Sequence, residues 1–347
     1  MALPDALTLP GARIDAHLQA TLDRYHEEWA AFDPLLADTV DLLSMLVLSG
    51  GKRVRPAMAY WGFVGAGGDP DDPKIVSIGS ALELLQAFAL FHDDVMDGSP
   101  TRRGHATAHV AAEAEHRDNA WSGEPRRYGE AVAILAGDVS LVLSDVLLTD
   151  ASPHVRRLWN DLRVEVNLGQ FLDVVGTARG NVGLSTAERI VEYKTARYTI
   201  VRPLQMGAAA AGGVHLEHAL ANFGTPLGIA FQLRDDLLGV FGEAKVTGKP
   251  VGDDLREAKP TPLLARARNA ASPEQRTLLD QIGPDLSDSE ITDIQQILVD
   301  TGAVSAIESQ IEELTAEALT AIDQMALTGD AARHLADIAS FLASRTS

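Results

Sequence analysis

The chain has 347 residues, a formal net charge of −20 at pH 7 and no cysteine. The length allows a buried core, and the acidic balance argues against a nucleic-acid partner. The lack of cysteine excludes disulfides, thiolate metal sites and thiol nucleophiles, and it fits a reducing cytoplasm. Because 46% of the residues are hydrophobic but only 5% are aromatic, the composition predicts an all-α protein, and we expect no membrane span because no uninterrupted apolar run reaches about 18 residues.

The first part of the chain predicts helices separated by glycine- and proline-marked loops. Residues 1–12 carry two prolines and little periodicity, which predicts a loose N-terminal arm. Apolar residues at spacings of three and four predict helices over residues 14–48, with a break near Pro34. Pro56 suits the first turn of a further helix, and an apolar helix is predicted over residues 73–97.

The second part of the chain continues the helical pattern. Residues 116–129 lack apolar periodicity and predict an exposed loop. Helical periodicity returns over residues 130–148, 155–175, 186–211 and 216–239, and about four more helices are expected over residues 261–345. No alternating strand pattern and no linker separates these segments, so residues 13–347 are predicted to form a single all-α domain.

Three carboxylates crowd the end of the predicted helix over residues 73–97, at Asp93, Asp94 and Asp97. At about 100° per residue, Asp97 lies about 40° from Asp93 and Gln86 about 20° from it, so the three share one stripe. Such oxygen ligands suit Mg²⁺, which keeps several waters for a bound phosphate. A solvated acidic helix end is the alternative, but Asp is unfavourable inside helices and near their C-termini. We interpret the cluster as a candidate metal site.

A second acidic cluster ends the predicted helix over residues 216–239. Asp235 and Asp236 follow Gln232, which lies about 40° from Asp236 and shares its face. Gly239 occupies the position that corresponds to Asp97 in the first cluster. The second cluster therefore offers fewer ligands, and a surface ion pair of Arg234 with an Asp is the alternative interpretation.

The basic residues fall into groups that could bind a polyanion. They are Lys52, Arg53 and Arg55; Arg102 and Arg103; Lys194 and Arg197; and Lys245, Lys249 and Lys259. Of these, Arg53 and Lys245 are expected to face solvent. A diphosphate bridged to the carboxylates by Mg²⁺, with Arg and Lys on its free oxygens, would use both kinds of cluster.

Five short segments together resemble the trans-isoprenyl diphosphate synthases. They are Gly-Gly-Lys-Arg-Val-Arg-Pro at 50–56, Asp-Asp-Val-Met-Asp at 93–97, Arg-Arg-Gly at 102–104, Lys-Thr at 194–195 and Phe-Gln-Leu-Arg-Asp-Asp at 231–236. Their order and spacing match over nearly the whole chain, most like the bacterial geranylgeranyl and farnesyl diphosphate synthases. The resemblance implies the isoprenoid synthase fold, a single large all-α bundle around a deep central cavity, usually a homodimer, with three Mg²⁺ ions.

The resemblance also implies roles for individual residues, by matching position. Two metals would be held by Asp93 and Asp97 and a third by Asp235, with support from Asp94 and Asp236. The allylic diphosphate would be bound by Arg102, Lys194 and Lys249, and isopentenyl diphosphate by Lys52, Arg55, Gln86 and Arg103. Thr195 and Gln232 would lie beside the reacting carbons, Gln170 and Asp173 would line the site, and Asp254 and Lys259 would belong to a loop that closes over the diphosphates.

Two positions depart from the family pattern. Many members carry a third Asp where this chain has Gly239, which puts that position's share of the third metal in doubt. Longer-chain members often have His where this chain has Gln86, which is still a donor to phosphate.

The resemblance implies a prenyltransferase that condenses isopentenyl diphosphate with an allylic diphosphate. Pyrophosphate would depart with the help of Mg²⁺ and the cations, the double bond of isopentenyl diphosphate would attack the allylic cation, and a proton would be lost, while an apolar cavity excludes water. Phe88 and Ala89 are the candidate chain-length residues, and their pattern resembles enzymes that make geranylgeranyl diphosphate. Ordinary core packing is the alternative for Phe88, and farnesyl diphosphate is the nearest alternative product.

Two other functions remain open. A class I terpene cyclase would also ionise an allylic diphosphate, but it binds no second diphosphate and would leave Lys52, Arg55 and Arg103 without a purpose. A non-catalytic partner subunit of a heteromeric synthase is the other alternative, although such subunits commonly lose the Asp clusters that this chain keeps.

Overall fold

The computed structural model describes residues 3–180, 182–242 and 251–345, and the chain divides into two compact units. The first unit comprises Leu7–Tyr60 and Asp69–Ser152, and the second comprises Met1–Ala6, Trp61–Gly68 and Pro153–Ser347. Each unit is built from helices, so the all-α prediction is confirmed. The single domain over residues 13–347 stays a prediction.

The chain up to residue 152 forms six helices and one small hairpin. They are α1 Asp5–Phe32, α2 Pro34–Leu48, α3 Val54–Gly65, α4 Pro73–Asp97, the antiparallel strands β1 Thr101–Arg102 and β2 His105–Ala106, α5 Ala108–Asp118 and α6 Pro125–Val146. The predicted break near Pro34 is confirmed, because Pro34 is the first residue of α2 and the side chain of Asp33 caps that helix.

The described residues after 152 are helical apart from short connections. The elements are α7 Pro153–Arg179, α8 Leu184–Ile190, a π-helix Val191–Val201, α9 Arg202–Ala210, a 3₁₀ turn Val214–Leu216, α10 Glu217–Phe241, α11 Asp253–Arg256, α12 Pro262–Ala270, α13 Pro273–Leu279, α14 Asp288–Asp300, α15 Ala303–Asp323 and α16 Ala331–Ser344. Five helices therefore follow residue 261 in the described part of the chain, where about four were predicted.

The N-terminal residues differ from the predicted loose arm, because α1 already begins at Asp5 and contains Pro10. Proline has no N–H to donate to the carbonyl four residues earlier, which here belongs to Ala6. The indole Nε1 of Trp61 donates to that carbonyl at 2.7 Å. This bond satisfies the group that proline leaves unpaired, so the helix continues through Pro10.

Helix α4 has the bounds that the sequence predicted, because both ends are marked locally. The Asp72 side chain accepts from the N–H of Lys74 and Pro73 is the first helical residue, while Gly98 ends the helix in the left-handed conformation at φ 64°. Among the described helices, α4 alone is long and apolar enough to cross a membrane, but 67% of its most apolar stretch is buried inside the protein. The absence of a membrane span stays a prediction.

The prediction of an exposed loop over residues 116–129 is wrong at both ends, because α5 extends to Asp118 and α6 begins at Pro125. His116 is buried, and its ring contacts those of Trp121 and Tyr128 at centroid distances of 6.0 Å and 5.2 Å. This aromatic contact orders the segment without the apolar periodicity of a helix.

Each unit has its own hydrophobic core. In the first unit, α4 packs on α6, and its core residues include Leu84, Ala87 and Phe91. In the second unit, α10 packs on α15 and on the π-helix, and Leu233 and Leu237 belong to the core. The two helices that end in acidic clusters are thus held by the buried side chains of their own units.

Candidate active site

The first acidic cluster lies at the end of α4, next to the small β-hairpin. Asp94 is buried, and Arg102 Nε donates to its Oδ1 at 2.7 Å. Arg102 Nη2 also lies 3.8 Å from Asp93 Oδ2, so one guanidinium contacts two of the three predicted carboxylates. Burial raises the pKa of Asp94, although the hydrogen bond and charge of Arg102 act in the opposite direction. Asp93 and Asp97 remain partly exposed, where a ligand could reach them.

Arg103 lies at the turn of the hairpin and contacts the loop before α3. Arg103 and Gly104 both have positive φ values, 52° and 80°, as a tight hairpin turn requires. Arg103 Nη1 donates to Ser49 Oγ at 3.1 Å, to the Leu46 carbonyl at 3.2 Å and to the Gly50 carbonyl. The side chain predicted to bind isopentenyl diphosphate therefore also holds this loop in place.

Arg53 was expected to face solvent, and this prediction is wrong, because only 7% of the residue is exposed. Its Nη1 donates to Glu83 on α4, and its Nη2 lies 2.7 Å from both Asp15 Oδ1 and the Val47 carbonyl. The solvated alternative fails because a carboxylate is available inside the unit to pair with the buried cation. The neighbouring residues Lys52 and Arg55, predicted to bind substrate, are partly exposed.

The candidate chain-length residues lie on α4 before the acidic cluster. Phe88 is 8% exposed, and its ring lies 4.6 Å from that of His92 in a tilted arrangement. Ala89 and Gln86 are partly exposed. Phe88 therefore has an aromatic neighbour one turn nearer the carboxylates.

In the second unit, the π-helix carries Lys194 and Thr195. Segments with this wider hydrogen-bond pattern are rare and occur frequently at functional sites. Lys194 Nζ donates to Asp173 Oδ2 on α7 at 2.5 Å. A side chain at Gly169 would overlap the backbone of Lys194, so the glycine permits this close approach. Gln170, also predicted to line the site, is partly exposed on α7.

A chain of side-chain hydrogen bonds joins the π-helix to the second acidic cluster. Thr195 Oγ1 donates to Gln232 Oε1 at 2.6 Å, and Gln232 Nε2 donates to Asp236 Oδ1 at 2.7 Å. These bonds fix the direction of the Gln232 amide. Asp236 is buried, which raises its pKa well above the usual value, and the nearby charges of Asp254 and Asp235 add to the rise.

Asp235, the predicted ligand of the third metal, forms an ion pair with Arg345 near the C-terminus. The Arg345 guanidinium also lies 4.3 Å from the centroid of the Phe231 ring, one turn before Asp235. Arg234 pairs with Glu308 through two bonds of 2.9 Å and 3.0 Å. The alternative interpretation, in which Arg234 pairs with a neighbouring Asp, is therefore wrong.

The position of Gly239 is filled by a carboxylate from another segment. A Cβ built at Gly239 would overlap the Asp254 carboxylate, which α11 places against α10. Lys259 Nζ lies 3.4 Å from Asp254 Oδ1 and 2.5 Å from Glu257 Oε2, so the predicted substrate-binding lysine contacts two carboxylates. Lys249 and Lys245 lie outside the described residues.

The donor groups of both clusters fit a divalent cation such as Mg²⁺. Asp236 Oδ2 is a buried carboxylate oxygen for which the described residues provide no hydrogen-bond partner. No three carboxylate or imidazole side chains of residues 3–180, 182–242 and 251–345 converge as a complete metal cage. The partly exposed carboxylates of Asp93 and Asp97 are suitable ligands for Mg²⁺, which is commonly held by one or two carboxylates together with waters and substrate phosphates.

Sequence reasoning missed two residues that contact this machinery. Glu83 lies within the apolar part of α4 and holds Arg53, and a charged residue in such a stretch was a usable signal. Arg345 pairs with Asp235 from a distant segment, and no local pattern marks it.

Comparisons with known proteins agree with these observations. The profile of the family described as polyprenyl synthetase matches residues 38–300. A short chain isoprenyl diphosphate synthase of Methanothermobacter thermautotrophicus is 32% identical, covering 86% of this chain and 88% of that protein. A (2E,6E)-farnesyl diphosphate synthase of Mycobacterium tuberculosis is also 32% identical, over 85% of this chain and 80% of the other.

A solved structure gives the same result for the fold. A geranylgeranyl pyrophosphate synthase of Corynebacterium glutamicum, crystallised with isoprenyl diphosphate and magnesium, is 38% identical. It superimposes with a TM-score of 0.92 over 99% of this chain and 100% of that chain.

Proposed function

The chain belongs to the polyprenyl synthetase family, and we propose that it condenses isopentenyl diphosphate with an allylic diphosphate to make geranylgeranyl diphosphate. The observation that carries this proposal is the hydrogen-bond chain from Thr195 through Gln232 to Asp236. This chain connects a hydroxyl and an amide, which can stabilise a cationic carbon, to an acidic cluster, which can bind the metal ion of a diphosphate complex.

The side chains of the second unit have separate tasks in this proposal. Asp173 accepts a hydrogen bond from the Lys194 ammonium and fixes its orientation, so that the ammonium can pair with an oxygen of the allylic diphosphate. Because the Thr195 hydroxyl donates a hydrogen bond to Gln232, the lone pairs of its oxygen are available to stabilise positive charge that develops on the allylic carbon. The reaction then needs no protein nucleophile, and pyrophosphate itself can accept the final proton.

The carboxylates would hold the metal ions. Asp93 and Asp97 would bind two ions and Asp235 a third, with Asp94 and Asp236 as supporting groups. Bound Mg²⁺ would stabilise the negative charge of the departing pyrophosphate. Arg102 already lies beside Asp93 and Asp94, where it can donate a charge-assisted hydrogen bond to a phosphate oxygen as a substrate enters. In the first unit, Lys52, Arg55, Gln86 and Arg103 would bind isopentenyl diphosphate.

Incubation with labelled isopentenyl diphosphate and allylic primers of five, ten and fifteen carbons tests this function. We expect Mg²⁺-dependent incorporation into a twenty-carbon all-trans product with each accepted primer. A fifteen-carbon final product would favour a farnesyl diphosphate synthase. Cyclised product without incorporated label would indicate a terpene cyclase, and no turnover by the isolated chain would favour a non-catalytic partner subunit.

Phe88 is proposed to limit product length from its position five residues before Asp93. Replacing it by alanine removes a buried ring, so we expect Phe88→Ala to release products at least one five-carbon unit longer, as measured by chromatography of the dephosphorylated alcohols. Phe91→Ala is the control, because Phe91 belongs to the core of the first unit and its loss should lower stability instead. An unchanged product distribution in Phe88→Ala would refute the proposal.

The active form is proposed to be a homodimer, because both α6 and α7 expose apolar stripes. On α7, Val164, Leu168 and Phe171 recur at helical spacing and are 51–65% exposed, and on α6 Leu135 and Val142 are 62% and 60% exposed. Exposed apolar residues in such rows are typical of association surfaces rather than of monomers. A second copy of the chain presents the same stripes and is therefore the proposed partner.

Phe171→Glu tests the apolar stripe on α7. We expect the variant to elute as a monomer at a concentration where the unmodified chain is a dimer, because it buries a charge in an apolar contact. Light scattering after gel filtration measures the mass. Val299→Glu replaces another exposed apolar residue, 51% exposed on α14, and should leave the mass unchanged. Equal masses for the unmodified chain and Phe171→Glu would contradict the proposed surface.

We also propose a cytoplasmic location, on the basis of the cysteine-free sequence.

A further inference from the structure

The loop before α3 contains a non-glycine residue in a disfavoured backbone conformation. Arg53 has a φ of 49°, in the left-handed region that residues with a Cβ rarely adopt. The N–H of Ala57 donates to the Arg53 carbonyl at 3.0 Å, so α3 starts from this strained residue. Such a conformation persists only where surrounding contacts enforce it.

The contacts of the Arg53 side chain enforce that conformation. Its guanidinium is buried and reaches Glu83 on α4, Asp15 on α1 and the Val47 carbonyl at the end of α2. Glu83 is itself only 8% exposed. One buried cation thus connects the loop to three helices of the first unit, and a buried pair of this kind is costly unless its geometry is kept.

The residues on either side of Arg53 are the ones proposed to bind a diphosphate. Lys52 precedes Arg53 directly, and Arg55 follows two residues later. Glu83, the acceptor for Arg53, lies on α4, which also carries Gln86 and the carboxylates of Asp93 and Asp97. The helix is a rigid spacer of about 1.5 Å per residue between the ion pair and the metal ligands.

We propose that Arg53 and Glu83 are positioning residues, whose buried ion pair holds Lys52 and Arg55 at a set distance from the carboxylates of α4 and thereby sets the affinity for isopentenyl diphosphate. This inference rests on the proposed function. Neither residue needs to touch the substrate. The strained loop would be free to relax without the pair, and the two cations would lose their common geometry.

Glu83→Gln tests the proposal by keeping the side-chain shape and removing the charge. We expect KM for isopentenyl diphosphate to rise about tenfold, while kcat and KM for the allylic primer change less than about twofold. Calorimetric titration with isopentenyl diphosphate should show the same loss of affinity. Glu130→Gln, which breaks the Arg126 pair on α6, is the matched control and should behave as the unmodified chain.

A second variant separates positioning from general stability. Arg53→Met/Glu83→Gln removes both buried charges and leaves only the half-exposed Asp15 carboxylate without its partner, so we expect its thermal midpoint to lie above that of Glu83→Gln alone. Its KM for isopentenyl diphosphate should nevertheless stay raised, because the loop still lacks its ion pair. A return of both KM and affinity to normal in this variant would overturn the proposal.

The outcomes also distinguish this inference from the proposed function. If the unmodified chain fails to incorporate label, the proposed function is refuted. The calorimetric comparison of isopentenyl diphosphate affinity still tests whether Glu83 positions the loop before α3. Equal affinity for isopentenyl diphosphate in the unmodified chain and Glu83→Gln overturns the positioning role, whatever the turnover. Absence of isopentenyl diphosphate binding in the unmodified chain overturns both.

Discussion

Asp93→Ala is expected to lower kcat/KM for prenyl transfer by at least about 10³-fold, because it removes a proposed metal ligand from the end of α4. The same change takes away a carboxylate that lies 3.8 Å from Arg102 Nη2. The loss should persist at saturating Mg²⁺, since a missing ligand also misplaces the ion. Steady-state assays with labelled isopentenyl diphosphate measure the effect.

A control variant and a binding measurement make this prediction specific. Asp118→Ala removes an exposed carboxylate at the end of α5 and should retain full activity. Counting bound Mn²⁺ by electron paramagnetic resonance, in the presence of inorganic pyrophosphate, should show fewer ions in Asp93→Ala. Undiminished activity in Asp93→Ala would refute the assignment of the first acidic cluster as a metal site.

Gly239→Asp is expected to lower kcat/KM about 100-fold or more, although it restores the aspartate that many family members carry. The new Cβ would overlap the Asp254 carboxylate, so the Asp254 side chain would have to leave its present position against α10. The variant also places another negative charge near Asp236, which is buried and lies close to Asp254 and Asp235. Steric overlap and charge repulsion therefore act in the same direction.

A paired substitution tests the reason for this loss. Gly239→Asp/Asp254→Gly returns the space and keeps one carboxylate, so we expect it to regain most of the lost activity. Gly183→Asp is the control for adding an aspartate, because a Cβ there meets no atom within 4 Å and the residue caps α8. Gly239→Asp with normal activity would show that the reaction does not depend on the present position of the Asp254 carboxylate.

The parts of the fold that the sequence predicted have local causes. The bounds of α4 follow from Asp72, Pro73 and Gly98, which are adjacent to the ends that they determine. The two clusters were also visible, because the spacing of Asp93 and Asp97 places them on one face of α4 and the spacing of Gln232 and Asp236 places them on one face of α10. Patterns of this kind need no knowledge of distant residues.

The errors have long-range causes. The first turns of α1 depend on Trp61, which lies 55 residues from its acceptor Ala6. Arg53 is buried because Glu83 is available on another helix, and Arg345 reaches Asp235 from the C-terminal segment. A π-helix carries Lys194 and Thr195, and its wider turns leave no signal in a periodicity of three and four. Tertiary contacts decide the first three of these features.

The overlap between position 239 and the Asp254 carboxylate also restricts the order in which a lineage could change these two residues. A step that adds an aspartate at 239 while Asp254 is present passes through an intermediate in which the Asp254 carboxylate must leave its present position. Shortening residue 254 first leaves the space open, after which a carboxylate at 239 can be accepted. Among descendants and ancestors of this chain, we therefore expect residue 254 to change before glycine at 239 is replaced by aspartate.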